Sequence, residues 1–248
     1  MRPVMHSSFR IAAAAALVWL FPAGVLLRAQ EEGLTAEQIL GFVRYSQTAN
    51  QLQTKGTLRQ GRERHRFDLF LDGPSIRFVF AKPEQSVRLD LGDAACRLLE
   101  SSGGGAEKEV PAGRYGEAIR GTDVTYEDLA LRFLYWPRPE LLGEDVVRPE
   151  RISWKIRVVN PGRSGPYAQA LVWVDKASGA LLQVHGFDRS GALVKRFQVI
   201  SGQRMEAPTS QGKQKIWMLK ELRVETVDPR TGTRLGEYTY LNLDKPKG

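Results

Sequence analysis

The sequence predicts an α+β protein that is mainly β: one antiparallel sheet with short helices laid on it. Three observations carry this. Gly121 to Leu134 holds a capped amphipathic helix, isolated in mid-chain. The segments on either side of it alternate apolar and polar residues with the period of two that belongs to strands. Three of the later turns begin with Asp and end with Gly, at Asp175–Gly179, Asp188–Gly191 and Asp228–Gly232. Asp bonds the backbone ahead of it and Gly supplies the positive φ, so these are hairpin turns. A lone helix must bury its apolar face, and the only large partner this chain offers is a sheet.

The elements follow in order. Met1 to Arg10 carries Arg2 and Arg10 and no acid, and Ile11 to Leu27 is apolar, ahead of Arg28-Ala29. A basic start, an apolar middle and a small residue at the cut make a secretory signal, placing cleavage after Ala29. The run contains Pro22 and Gly24 and falls short of the roughly 20 residues a membrane span needs. An uncleaved N-terminal anchor is the alternative. Residues 30–248 then form one domain, a length that single β units reach. The whole chain carries +8, and loss of Arg2, Arg10 and Arg28 lowers this to +5. That balance suits anionic head groups or envelope polymers as well as a plain solvated surface, while an exported protein has little call to bind nucleic acid.

Leu34, Thr35, Gln38 and Ile39 spell staple, cap, return acceptor and staple, so a helix opens the domain. Strands follow through Leu52–Leu58, His65–Leu71, Ile76–Phe80, Val87–Leu91 and Ala94–Glu100, with turns at Gln60-Gly61, Asp72-Gly73-Pro74 and Lys82-Pro83-Glu84. Close spacing and short turns mark an antiparallel meander. Ser101 to Gly113 reads as a surface loop, since its glycines are followed by no Lys-Ser/Thr. In the central helix, Thr125 and Asp128 form a capping box, Val124 and Leu129 a staple, and Tyr126, Leu129, Ala130, Phe133 and Leu134 one apolar face. The helix is expected over Thr125–Tyr135, stopped by Pro137. Trp136 to Pro149 reads as a Pro-rich loop, Ile152–Val158 as the next strand, and Met205 to Lys215 as a polar loop between strands.

Chemistry-bearing constellations are scarce. Cys96 is the one cysteine and reads as a small core residue. His65 and His185 have no partner at metal-ligand spacing, and no G-x-S-x-G occurs. No catalytic residue, metal or cofactor is assigned, and the chain is not expected to be an enzyme. The acids Asp123, Glu127 and Asp128 cluster at the helix start, where capping and the helix dipole favour them; Asp123 precedes the cap and is the one left unexplained. Arg59, Arg62, Arg64 and Arg66 bracket the Gly61 turn, either as ordinary solvated strand charges or as contacts for anionic head groups or an acidic partner. Phe67, Leu69, Phe78, Phe80, Leu89 and Leu91 make strand faces richer in large apolar groups than a one-faced sheet requires. A packed core and a lipid cavity both account for them.

The order of these features resembles the bacterial outer-membrane lipoprotein-sorting family of the LolA/LolB-like superfamily. The residues that carry the resemblance are the G-T-D-V-T-Y-E-D-L helix start at Gly121–Leu129, then V-W-V-D-K-A-S-G-A-L-L and G-F-D-R-S-G-A-L-V-K-R within Val172–Arg196, and a closing Y-T-Y-L-N-L. It implies a strongly curved, unclosed antiparallel barrel whose mouth is covered by helices. It also implies a periplasmic, non-enzymatic carrier or chaperone for the acyl chains of lipoproteins or another envelope lipid. On this reading Asp123, Tyr126, Leu129 and Phe133 belong to a lid, Arg62 and Arg64 to a head-group or partner contact, and an inner-membrane donor and outer-membrane acceptor are the possible partners. A periplasmic sensor that detects lipoprotein and signals through a partner protein is the alternative.

Overall fold

The structure is a computed structural model that describes residues 33–48, 51–92, 96–148, 151–209 and 212–245, without the side chains of 45–51 and 204–217. The export signal expected over 1–29 lies outside these residues. One 13-stranded sheet dominates: β1 (Gln51–Gln60), β2 (Glu63–Asp72), β3 (Ser75–Phe80), β4 (Gln85–Leu91), β5 (Cys96–Ser102), β6 (Lys108–Glu109), β7 (Glu140–Arg148), β8 (Arg151–Val159), β9 (Gln169–Asp175), β10 (Leu181–Phe187), β11 (Leu193–Thr209), β12 (Gly212–Val227) and β13 (Arg234–Leu243). Its order is β6-β5-β4-β3-β2-β1-β13-β12-β11-β10-β9-β8-β7. Every pair of neighbours in the sheet is antiparallel, and β1 pairs with β13, Gly56 opposite Leu243, to join the two meanders.

This topology determines where the helix goes. β6 and β7 are the two free edges of the curved, unclosed sheet. The chain between them, 110–139, must travel from one edge to the other, and it does so across the open, concave side as a strap. Helix α1 (Ala36–Thr48) comes before the sheet, and α2 (Tyr126–Ala130) lies within the strap. Both carry the expected caps. Thr35 N–H donates to Gln38 Oε1 (2.9 Å) and Gln38 N–H to Thr35 Oγ1 (3.2 Å). Thr125 N–H donates to Asp128 Oδ2 (2.8 Å) and Asp128 N–H to Thr125 Oγ1 (3.3 Å). The three Asp-to-Gly turns close as read, with the carbonyls of Asp175, Asp188 and Asp228 accepting from the N–H groups of Gly179, Gly191 and Gly232.

Three expectations are corrected. The central helix is shorter than Thr125–Tyr135: Leu131 turns left-handed (φ 45°), and a 3-10 turn, Arg132–Tyr135, follows. The break directs Leu129 and Leu131 to the cavity described below, while Phe133 and Leu134 drop into the core. The stretch after Trp136 is not all loop, because Glu140–Arg148 is an edge strand. Register shifts at Leu141/Gly143 and Val146/Arg148 break its period of two. Met205 to Lys215 is likewise strand: β11 and β12 continue past their outer neighbours as a two-stranded ribbon to Thr209 and Gly212.

The core lies between the sheet and the two helices. Ile39, Leu40 and Val43 of α1 join Phe67, Phe80, Val87, Leu89 and Leu98 of the sheet and Phe133 and Leu134 of the strap in one buried cluster. Phe67 fills a gap that its cross-strand partner leaves open. A Cβ on Gly56 would lie 2.4 Å from the Phe67 ring, so only glycine lets the ring lie across β1. Cys96 is half-buried against this core, and burial pushes its thiol up to about 12.

Candidate functional site

A cavity of about 320 Å³ opens between the strap and the concave face. One wall comes from β1–β3: Leu52, Leu69, Leu71, Ile76 and Phe78. The other comes from β10–β13, with Leu181, Phe197, Val199, Met218, Leu219, Leu222, Val224, Leu241 and Leu243. Val43 of α1 and Val124, Leu129 and Leu131 of the strap form the roof. Strand alternation explains the walls, since 69 and 71, 76 and 78, 222 and 224, and 241 and 243 are each two apart and share a face. Among the lining residues only Asp128 is ionisable.

Asp128 is also where the strap is fastened. Its Oδ2 accepts from Thr125 N–H and from Lys195 Nζ (3.1 Å), and its Oδ1 accepts from Tyr167 OH (2.6 Å). Asp128, Lys195 and Tyr167 are 5 %, 7 % and 2 % exposed, so this is a dry ion pair with its remaining lone pairs satisfied. Burial, reinforced by the Asp128 charge, raises the Tyr167 hydroxyl well above its ordinary value, so it stays a donor. Lys195 also donates to Asp123 O, while Asp123 N–H reaches Gln60 Oε1 (2.9 Å) and Thr239 Oγ1 (3.2 Å). Asp123 therefore ties the strap to β1 and β13 through its backbone, and its Oδ2 is buried without a hydrogen-bond partner.

Further stitches hold the rest of the strap. Tyr126 OH donates to Glu100, which also accepts from Gln85 Nε2 (2.7 Å) and Arg114 (2.9 Å). Burial pushes the Glu100 carboxyl up, but these donors outweigh it and hold the group below its ordinary value. Burial likewise raises Tyr126. Arg44 of α1 donates to Leu134 O (2.9 Å). Glu127, fully buried, pairs with Arg132 (3.2 Å), whose guanidinium stacks on Tyr115 (4.4 Å). Burial pushes Glu127 up to about 7, against the pull of Arg132.

The candidate residues from the sequence divide into groups. Leu69, Phe78 and Leu129 line the cavity. Phe67, Phe80, Leu89 and Leu91 are buried in the packed cluster, and Tyr126 and Phe133 are buried residues of the strap itself, outside the lining. Phe133 backs the wall by packing on Phe197 (6.3 Å). Arg62 and Arg64 are exposed at the β1–β2 turn, away from the cavity. Sequence reading missed Lys195, Tyr167 and the whole β11–β13 wall. The wall was recoverable from the alternation of Phe197 with Val199 and of Leu222 with Val224. Lys195 carried a sharper signal: it occupies the inward row of Phe197 and Val199, where a lysine needs a buried partner.

A family model described as an uncharacterized protein matches residues 107–245, more than half of the chain. No curated protein matches. Among solved structures, a LolA superfamily protein from Nitrosomonas europaea is similar at TM-score 0.62 and 15 % identity, over 87 % of this chain and 95 % of that one. A DUF1329 family protein from Desulfovibrio piger follows at 0.61 and 17 %, over 86 % and 92 %. An outer membrane lipoprotein-sorting protein domain from Vibrio parahaemolyticus is similar at 0.60 and 16 %, over 90 % and 91 %. The chain belongs to the uncharacterized family of that model, and its fold is that of the LolA-like outer-membrane lipoprotein-sorting proteins.

Proposed function

We propose that this protein is a periplasmic carrier that takes up the acyl chains of lipoproteins, or of another envelope lipid, between its sheet and its strap, without catalysing a reaction. The observation that supports this most directly is an apolar cavity whose one ionisable lining group, Asp128, is already neutralised by Lys195. Such a site offers a ligand nothing except apolar surface. Each buried methylene contributes roughly 0.8 kcal/mol. About ten of them would give about 8 kcal/mol, on the scale of micromolar binding before ordering costs. Loading from an inner-membrane donor and release to an outer-membrane acceptor belong to the same proposal.

Native mass spectrometry of the purified protein with a triacylated lipopeptide tests it. The expected result is a one-to-one adduct whose mass extracts into organic solvent. Leu222→Trp, which fills the cavity from the β12 wall, should weaken the adduct at least tenfold while leaving the circular dichroism spectrum unchanged. Absence of any adduct with the folded wild-type protein, or equal binding by Leu222→Trp, would overturn the proposal.

A further inference from the structure

The outer, convex face of the cavity-wall strands carries a feature that the carrier reading does not use. Alternation turns Arg59, Arg64, Arg223 and Tyr240 away from the cavity, because Leu58 is buried and Leu222, Val224 and Leu241 line it. Register sets these four in one row across β2, β1, β13 and β12: Arg64 opposite Arg59, Arg59 opposite Tyr240, and Tyr240 opposite Arg223. With strands roughly 4.8 Å apart, the row spans about 14 Å. Arg59 stacks on Tyr240 (4.4 Å to the ring centroid). Tyr238, 6.1 Å from Tyr240, takes two guanidiniums, Arg223 at 4.6 Å and Arg234 at 4.0 Å.

None of these four arginines is within ion-pair distance of a carboxylate among the described residues. Glu225, the nearest acid along β12 on one side, is occupied by Arg196. Stacking on a ring holds the guanidinium in place; Arg223 also donates from one terminal nitrogen to Gln198 Oε1, and the N–H groups not so engaged are donors of the kind that bind phosphate oxygens in pairs.

We infer that this arginine-on-tyrosine face docks the protein on the surface of an anionic phospholipid bilayer. The fold favours a bilayer over an acidic peptide. β2, β1, β13 and β12 are hydrogen-bonded on both sides, so the face has no free backbone edge to which a peptide strand could add. What it offers is side-chain forks for phosphates, and tyrosines, which suit the head-group layer. Docking here brings the cavity wall to within the thickness of one sheet of the lipid, since Arg223 lies between Leu222 and Val224.

Co-sedimentation of the purified protein with phosphatidylcholine vesicles, with and without phosphatidylglycerol, tests the inference. Binding is expected only to the anionic vesicles and should fall as salt is raised. Each basic group near an anionic surface is worth roughly fivefold, so the triple variant Arg59→Gln, Arg223→Gln, Arg234→Gln should lose about hundredfold. The charge-matched control Arg97→Gln, Arg157→Gln, Arg189→Gln, away from this face, should lose less than fivefold. Equal losses in the two variants would mean that net charge alone drives binding. Either that result, no vesicle binding by wild type, or a preference for a soluble poly-glutamate chain would overturn the inference. The lipopeptide adduct should survive in the Arg59/Arg223/Arg234 variant, which separates this docking face from the cavity.

Discussion

The two ends of the β2–β3 hairpin share strands and chemistry yet do opposite things. At one end Phe67 faces Phe80 across the pair, and both rings are buried, Phe67 packing edge-on against Phe80 at 5.5 Å. At the other end Leu71 faces Ile76, both are half-buried, and both line the cavity. The pair between them, Leu69 and Phe78, is buried but borders the empty space. What separates filled from hollow is not hydrophobicity but cover. Phe80 lies under the Arg120 guanidinium of the strap (4.8 Å), and Phe67 occupies the space above Gly56. Over Leu71 and Ile76 there is open space, which Leu129 and Leu131 of the strap line without filling.

The largest expected effect tests this contrast directly. Phe80→Ala empties a closed site and should cost about 3–5 kcal/mol. Phe78→Ala, two residues away on the same face, enlarges a space that is already open, and should cost about half as much while changing lipopeptide affinity more. Urea unfolding of both variants, read alongside the adduct measurement, checks it. Equal stability losses with equal binding would erase the distinction between the two ends.

Successive strap residues repeat the contrast. Asp128 faces the hollow end, held by Lys195 and Tyr167, and Glu127 is buried beside Arg132, Tyr115 and the Gly165 backbone. Lys195→Met should cost about 3 kcal/mol or more, because it leaves the Asp128 carboxylate buried without its cation. It also removes the contact to Asp123 O, so the strap should open more readily. An apolar fluorescent probe should then enter faster than in wild type at the same temperature, well below unfolding. Unchanged uptake in a destabilised protein would make the pair a structural support and not a latch.

The sequence revealed the frame more readily than the contents. Both capping boxes were legible because Thr35–Gln38 and Thr125–Asp128 satisfy orphan N–H groups with local partners. The Asp-to-Gly turns were legible for the same reason. β7 was not, since an edge strand with two register shifts has no alternation to read, and the ribbon was not, since the sequence from Met205 to Lys215 is mostly polar and does not alternate. The division of Phe67, Leu69, Phe78, Phe80, Leu89 and Leu91 between core and cavity depends on the path of the strap. That path follows from the pairing of β1 with β13, which leaves β6 and β7 at opposite edges. No window of sequence contains that information. Lys195 was missed as well, although a lysine standing in the apolar row of Phe197 and Val199 was a signal that it has a buried partner.

The smallest expected effect concerns Glu127 and depends on its sign. Burial raises its carboxyl from about 4.5 to about 7 in the folded protein, with Arg132 opposing and Asp128 adding to the rise. An unfolded chain releases this proton near 4.5, while the folded chain holds it to about 7. Between those values the folded state binds more protons, so the contribution of Glu127 to stability is present below about 4.5 and is lost as pH rises to 7. The loss is at most about 3 kcal/mol, from the size of the shift. Glu127→Gln keeps the shape and removes the titration, so its stability relative to wild type should climb across this window and stay level above it. Urea unfolding at pH 5 and pH 8 measures the difference, in which other titrating groups cancel. A flat difference would mean that Glu127 stays ionised throughout, with the Arg132 pair outweighing burial. The filled end of the strap would then be held by charge in the same way as the hollow end.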